Sequence, residues 1–274
     1  TISIHEGATV LEAAGQAGIA LETACGGRGT CGKCAVIIEP DNTEVLACQH
    51  TIHEDMVIFV PPESRFFGHR ILDRGIARDQ ALRVDRFSRY AGADESKPVF
   101  GLAVDIGTTT IVTRLVNMRN GLSVATEAAL NPQTRFGDDV ISRISHGRDR
   151  AGLLEMNRVL IDCLNRMTGA LCEQAAIAAN DIYEASIVGN TTMNHIFLKY
   201  PVEQLGQAPY HAYSLESCDL PARDVGLSIN PDGNIHTAQN IAGFVGSDTL
   251  AVALAVDITS AEDNTLVVDI GTNG

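Results

Sequence analysis

Four of the seven cysteines fall in one short stretch, Cys25, Cys31, Cys34 and Cys48, with the spacing C-x5-C-x2-C-x13-C. No other feature limits the fold so tightly, because the chain must bring four thiols to one place. Gly26, Gly27, Gly29 and Gly32 are interleaved with the first three. Glycine takes φ > 0 without steric cost, so such a loop can wrap a small centre and aim backbone N–H groups at its sulfurs. Four soft thiolates suit a [2Fe–2S] cluster, in which each iron takes two. Three other chemistries compete for these residues. A structural zinc site generally shows two close cysteine pairs, and only Cys31 and Cys34 form one here. Disulfides are disfavoured in a reducing compartment. Residues 27–34 imitate the phosphate-binding pattern G-x-x-x-x-G-K-[ST], but Cys34 stands where a hydroxyl must hold Mg²⁺. The cluster fits best.

Around this loop, residues 1–4 alternate like a strand and 8–16 read as a helix ending before Gly18. Residues 35–39 and 56–60 read as strands, bounded by Pro40 and by Pro61 and Pro62. Residues 1–63 are therefore expected to form a small α+β domain. The segment resembles the β-grasp ferredoxin domains that carry [2Fe–2S]. The x5 interval is similar to the adrenodoxin-like branch rather than the plant-type x4. The x13 interval is closer to the ferredoxin-type domains of large dehydrogenases.

Charge and length bound the rest. The 274 residues carry 34 acids against 20 Lys plus Arg, a formal charge of −14. That opposes nonspecific binding to nucleic acid or to an anionic membrane. No apolar run approaches the ~18 residues of a membrane span, and no basic–apolar–small signal pattern opens the chain, so a cytoplasmic protein is expected. Residues 1–63 hold nine acids against Arg28 and Lys33, whereas 64–97 hold eight bases against five acids. The basic stretch reads as a linker between two acidic bodies. Arg70, Arg74 and Arg78 share helical spacing in it, which suits a solvated helix better than an element docking on an acidic surface. Because the chain begins without Met and stops in a glycine-rich run after an apolar stretch, a fragment is expected.

From Pro98 the units lengthen. Strands are expected over 99–105, 110–116, 122–127, 185–188 and 266–269, and helices over 139–145, 153–176 and 191–198. This is an α/β body. Asp105, Gly107, Thr108, Thr109 and Thr110 follow the first of these strands, and Asp269, Gly271, Thr272, Asn273 and Gly274 repeat the design. A glycine turn exposes backbone N–H groups, hydroxyls add donors for phosphate oxygens, and an Asp at the strand end can hold Mg²⁺.

The pair of loops resembles the two phosphate loops of the acetate and sugar kinase, Hsp70 and actin superfamily. On that resemblance, 98–264 is the first subdomain of an actin-like, ribonuclease H-like ATPase and 265–274 starts the second. Its complete ATP and Mg²⁺ site needs residues beyond Gly274. Residues 131–143, 189–195 and 241–248 are also distinctive, and each suits a capped helix start, with Asp138, Asn190 and Ser247 as caps. With the ferredoxin segment and both loops, they resemble the reductive activators of corrinoid proteins. The 64–97 stretch is too short for the extra middle domain that those often carry between ferredoxin and ATPase.

That resemblance implies ATP-dependent electron transfer from the [2Fe–2S] cluster to a Co(II) corrinoid protein of a methyltransferase system. It also implies an upstream low-potential electron donor, with homodimer formation left open. Asp105 and Asp269 would act at the Mg²⁺–phosphate end, and Asp248 would orient the attacking water. Two rivals remain at this level: an electron-carrier module of a dehydrogenase with a non-catalytic second domain, and a small-molecule kinase of the same superfamily. His195 suits a satisfied structural histidine better than a ligand-facing one. Cys163 and Cys172 lie about 180° apart on one expected helix and read as small core residues.

Overall fold

The computed structural model describes residues 2–17, 19, 21–23, 25–61, 64, 98–260 and 263–268. The chain divides into two compact units, Thr1–Leu72 and Asp73–Gly274. Apart from Ser64, the expected linker lies outside the described residues, Arg70, Arg74 and Arg78 included.

In the first unit, helix α1 (Val10–Gln16) begins at a capping box. Thr9 Oγ1 accepts from Glu12 N at 3.2 Å, and Glu12 Oε2 accepts from Thr9 N at 2.7 Å. Two orphan N–H groups are thus satisfied reciprocally, which sets the start two residues later than expected. Strands β1 (Ala35–Glu39), β2 (Thr43–Leu46) and β3 (Val57–Phe59) form an antiparallel sheet in the order β2-β1-β3. Val10, Ala14, Leu21, Cys34, Val36, Ala47, Cys48 and Val60 make its core.

The strand expected over 1–4 does not form in the described part, Ile2–Ile4. The chain pairs just afterwards instead, where Gly7 N donates to Ile52 O and Ile52 N donates to Ala8 O, each at 2.8 Å. Alternation alone makes no strand where no neighbour offers a ladder.

In the second unit a six-stranded mixed sheet runs in the order β6-β5-β4-β7-β9-β8. Strands β4 (Phe100–Ile106), β5 (Thr110–Asn117) and β6 (Ser123–Leu130) form an antiparallel meander. The chain crosses over through α2 (Val140–His146) and α3 (Arg150–Ala175) to β7 (Ile182–Gly189), which pairs parallel to β4. After α4 (Thr191–Leu198) come β8 (Cys218–Pro221), the short α5 (Ala222–Val225) and β9 (Asn234–Thr237), which is parallel to β7. Helix α6 (Ser247–Val256) follows and packs on β7.

Helix α3 buries Leu153, Met156, Leu160, Leu164, Met167 and Leu171, an i, i+3, i+4 stripe that packs across β5 and β6. In β4, Leu102, Val104 and Ile106 enter this core while Ala103 and Asp105 face away from it. Cys163 and Cys172 are core residues, as expected.

Three expectations change. Asp139, not Asp138, caps α2, its Oδ1 accepting from Ser142 N at 2.7 Å. The N-cap of α6 is Gly246, with Ser247 one residue inside the helix. The described part of the strand expected over 266–269 has no ladder partner among the described residues, and Leu266 is 85% exposed. A strand exists only through its pairing, so the apolar run alone does not make one. Among the described residues no helix is long and apolar enough to cross a membrane.

Leu160 is fully buried in the larger core. Leu160→Ala is expected to lower stability by about 2–5 kcal/mol, read by urea unfolding, because a cavity adds to the lost transfer energy. As the first unit has a separate core, iron content should be unchanged.

Candidate functional site

The glycine-rich loop folds as its sequence requires. Gly26, Gly27, Gly29 and Gly32 all lie at positive φ, between 63° and 81°. The turns they make bring the four cysteines into two pairs, with Cys25 Sγ and Cys31 Sγ 3.3 Å apart and Cys34 Sγ and Cys48 Sγ 3.4 Å apart. An iron holding two thiolates tetrahedrally at about 2.3 Å separates their sulfurs by roughly 3.8 Å, so each pair suits one metal after a shift of about half an ångström. Two pairs fit two irons.

Backbone donors act on the sulfurs. The Cys31 N–H, then the Cys31 thiol and the Thr30 N–H, pull the Cys25 thiol down to about 6, into the range of a ready ligand. Burial pushes the Cys34 thiol up, since Cys34 sits in the core of the small unit. Gln49 escapes the sequence reading. Its Nε2 donates to Gly27 O at 2.8 Å and lies 3.6 Å from Cys48 Sγ, tying the loop to the distant fourth cysteine. Its place directly after Cys48 was the available signal.

The first glycine–threonine loop is the turn between β4 and β5. A Cβ on Gly107 would sit 2.6 Å from Thr110 O, so only glycine fits the turn. Asn131 Nδ2 donates to Gly107 O at 2.8 Å, and Asn190 Nδ2 donates to Thr108 Oγ1 at 3.0 Å. Asn190 also caps α4, its Oδ1 accepting from Met193 N at 3.0 Å. Ser247 Oγ contacts Gly189 N and O, each at 3.2 Å, and accepts from Asn194 Nδ2 at 2.8 Å. The start of α6, with Asp248, is therefore held against the end of β7. The loop at 107–109, the Gly189–Asn190 turn and Gly246 converge at the carboxyl ends of β4 and β7, where open α/β sheets place their ligands. Asp105 is exposed one residue before the turn of the chain. Asp269, Gly271, Thr272, Asn273 and Gly274 lie outside the described residues.

His195 is structural. Its Nδ1 donates to Thr191 O at 2.8 Å and its Nε2 accepts from Tyr213 N at 3.1 Å, which needs the neutral ring. Burial holds its pKa below the ordinary histidine value.

Two family profiles match this chain. The one described as 2Fe-2S iron-sulfur cluster binding domain covers residues 1–53, and the one described as RACo middle region covers 100–261. The chain belongs to the RACo family. The match described as RACo middle region spans the sheet body and lies outside 64–97. The corrinoid activation enzyme RamQ of Eubacterium limosum is 28% identical, over all of this chain and 56% of that relative. A solved structure titled reductive activator for corrinoid, iron-sulfur protein matches with a TM-score of 0.66 and 28% identity, over 99% of this chain and 58% of the other. The chain spans little more than half the length of each of these two relatives. This likeness supports the expected fold class, a ferredoxin-type domain followed by a mixed α/β body of actin-like kind.

Anaerobically purified protein is expected to carry two irons and two sulfides per chain, and Cys31→Ser should lose or grossly perturb them, because a hard oxygen replaces a soft thiolate. Iron and sulfide assay with electron paramagnetic resonance checks this. Stability should also depend on pH through His195. Its native pKa is depressed, so its contribution is complete above the free-imidazole value near 6.5 and drains as pH falls towards the lowered native pKa. Unfolding at pH 7.5 and pH 5.5 should show this loss, and His195→Gln should reduce the difference.

Proposed function

We propose that this protein is an electron-transferring ATPase that reduces the Co(II) centre of a corrinoid protein partner to Co(I). The carrying observation is the union, in one chain, of a [2Fe–2S] binding domain with a RACo middle region. A bound cluster of ferredoxin type supplies one reversible electron near about −400 mV. Cys25, Cys31, Cys34 and Cys48 hold it, and an upstream low-potential donor in a reducing cytoplasm refills it. Residues 1–63 are the electron-carrying domain and 64–97 the basic connector. Residues 98–264 serve as the first ATPase subdomain, with 265–274 opening the second.

Co(II) corrinoids are reduced at lower potential than this, so the transfer is uphill, and each 59 mV of gap costs about tenfold in a one-electron equilibrium. ATP can correct that only by binding two conformations unequally. Gly107, Thr108, Thr109 and Thr110 would hold phosphate oxygens from one side, and Gly271, Thr272, Asn273 and Gly274 from the other. Asp105 and Asp269 would hold Mg²⁺, directly or through water. Asp248, set at the start of α6, would orient the attacking water.

The test is a reduction assay with a Co(II) corrinoid protein, followed in the cobalt absorption bands. Reduced protein alone should convert a small fraction, Mg-ATP should raise the Co(I) yield, and Asp105→Ala should depress the gain. Equal yields with and without ATP across several corrinoid partners would leave a plain electron carrier. Consumption of ATP with a phosphorylated small acceptor would point to a kinase.

A further inference from the structure

Arg143 is the largest fully buried side chain of the described residues, and it lies beneath the 107–110 loop. Its Nη2 donates to Thr108 O at 2.5 Å, Nε to Gly137 O at 2.9 Å, and Nη1 to Gln133 Oε1 at 3.4 Å, with Met193 Sδ also 3.4 Å from Nη1. A guanidinium at this depth is costly to bury, and burial lowers its pKa to about 10, with Asp138 and then Asp139 partly opposing that shift. It remains charged at neutral pH. A core residue placed only to fill space would not carry that cost.

The orientation of the loop supplies a reason. In a trans peptide the C=O and the following N–H point in opposite directions. Arg143 holds the Thr108 carbonyl, so the Thr109 N–H points away from Arg143. Asn131, itself fully buried, holds the Gly107 carbonyl, so the Thr108 N–H points away from Asn131. Two successive peptides are thereby fixed with their oxygens turned into the protein and their N–H groups turned the other way. That is the arrangement an anion cradle needs. A positive charge directly behind the pinned carbonyl adds to the same potential.

We propose that Arg143 is a positioning residue for the phosphate loop, setting the Thr108–Thr109 peptide and the local positive potential on which nucleotide affinity depends. The proposal rests on the reading of 107–110 as a phosphate site.

Equilibrium binding of Mg-ATP to the full-length protein tests it, with thermal unfolding in parallel. Arg143→Met, which keeps apolar volume but loses charge and donors, should weaken binding at least tenfold. Arg143→Lys, which restores charge and one donor, should recover part of it. Wild-type affinity in a folded Arg143→Met protein would overturn the role of Arg143 alone. Should Arg143→Met fail to fold, amide nuclear magnetic resonance on Arg143→Lys decides. The Thr108 and Thr109 N–H signals should move on Mg-ATP addition in the wild type and move less in the variant. Equal movement in both overturns the proposal. Absence of Mg-ATP binding by the wild type would remove the phosphate-site reading, and this proposal with it.

Discussion

Strand β4 is hydrogen-bonded along both edges, antiparallel to β5 and parallel to β7, and the candidate phosphate site exists because of that double pairing. The antiparallel partner returns through the Gly107 turn, and the parallel partner ends beside it at Gly189. A Cβ on Gly189 would stand 2.7 Å from Ile106 O, and one on Gly246 2.2 Å from Gly189 O. Glycines at these points let three backbones approach closely. Leu102, Val104 and Ile106 on the other side of β4 are buried in the main core, so the turn rests on a strand that has little freedom to shift.

The smaller unit solves a different problem. Cys34 and Cys48 belong to its hydrophobic core as well as to the candidate cluster site. A domain of about 60 residues buries too little apolar surface to be secure, and a metal centre is one of the usual remedies. Here two of the four residues that would hold the irons are also core residues, so filling the site and closing the core are coupled. Gln49 extends this by joining Gly27 O to the neighbourhood of Cys48 Sγ across 22 positions of sequence.

Much of the fold was legible in local pattern. The meander, the long helix and strand β1 of the ferredoxin-type unit have strong periodicity, and the observed bounds differ from expectation by at most a few residues. The short strands β2, β8 and β9 were missed because four residues such as Cys218–Pro221 carry too little alternation to stand out. Caps were legible in kind but not in place. Asp138 and Asp139 are equivalent as residue types, and only the helix axis selects Asp139. Ser247 looks like a cap, yet its hydroxyl serves Gly189 and Asn194, partners far away in sequence.

The sequence by itself determined the metal chemistry, since thiols and glycines at those spacings leave few alternatives, and it marked the Asp105–Thr110 turn. Only the tertiary structure decided the rest. It paired Cys25 with Cys31 and Cys34 with Cys48, made His195 a neutral strut, and placed Arg143 under Thr108. Spacing along a chain reports which groups can meet locally. A contact such as Arg143 with Thr108, 35 residues apart, depends on how α2 lands against the end of β4, and that is set by packing of the whole body.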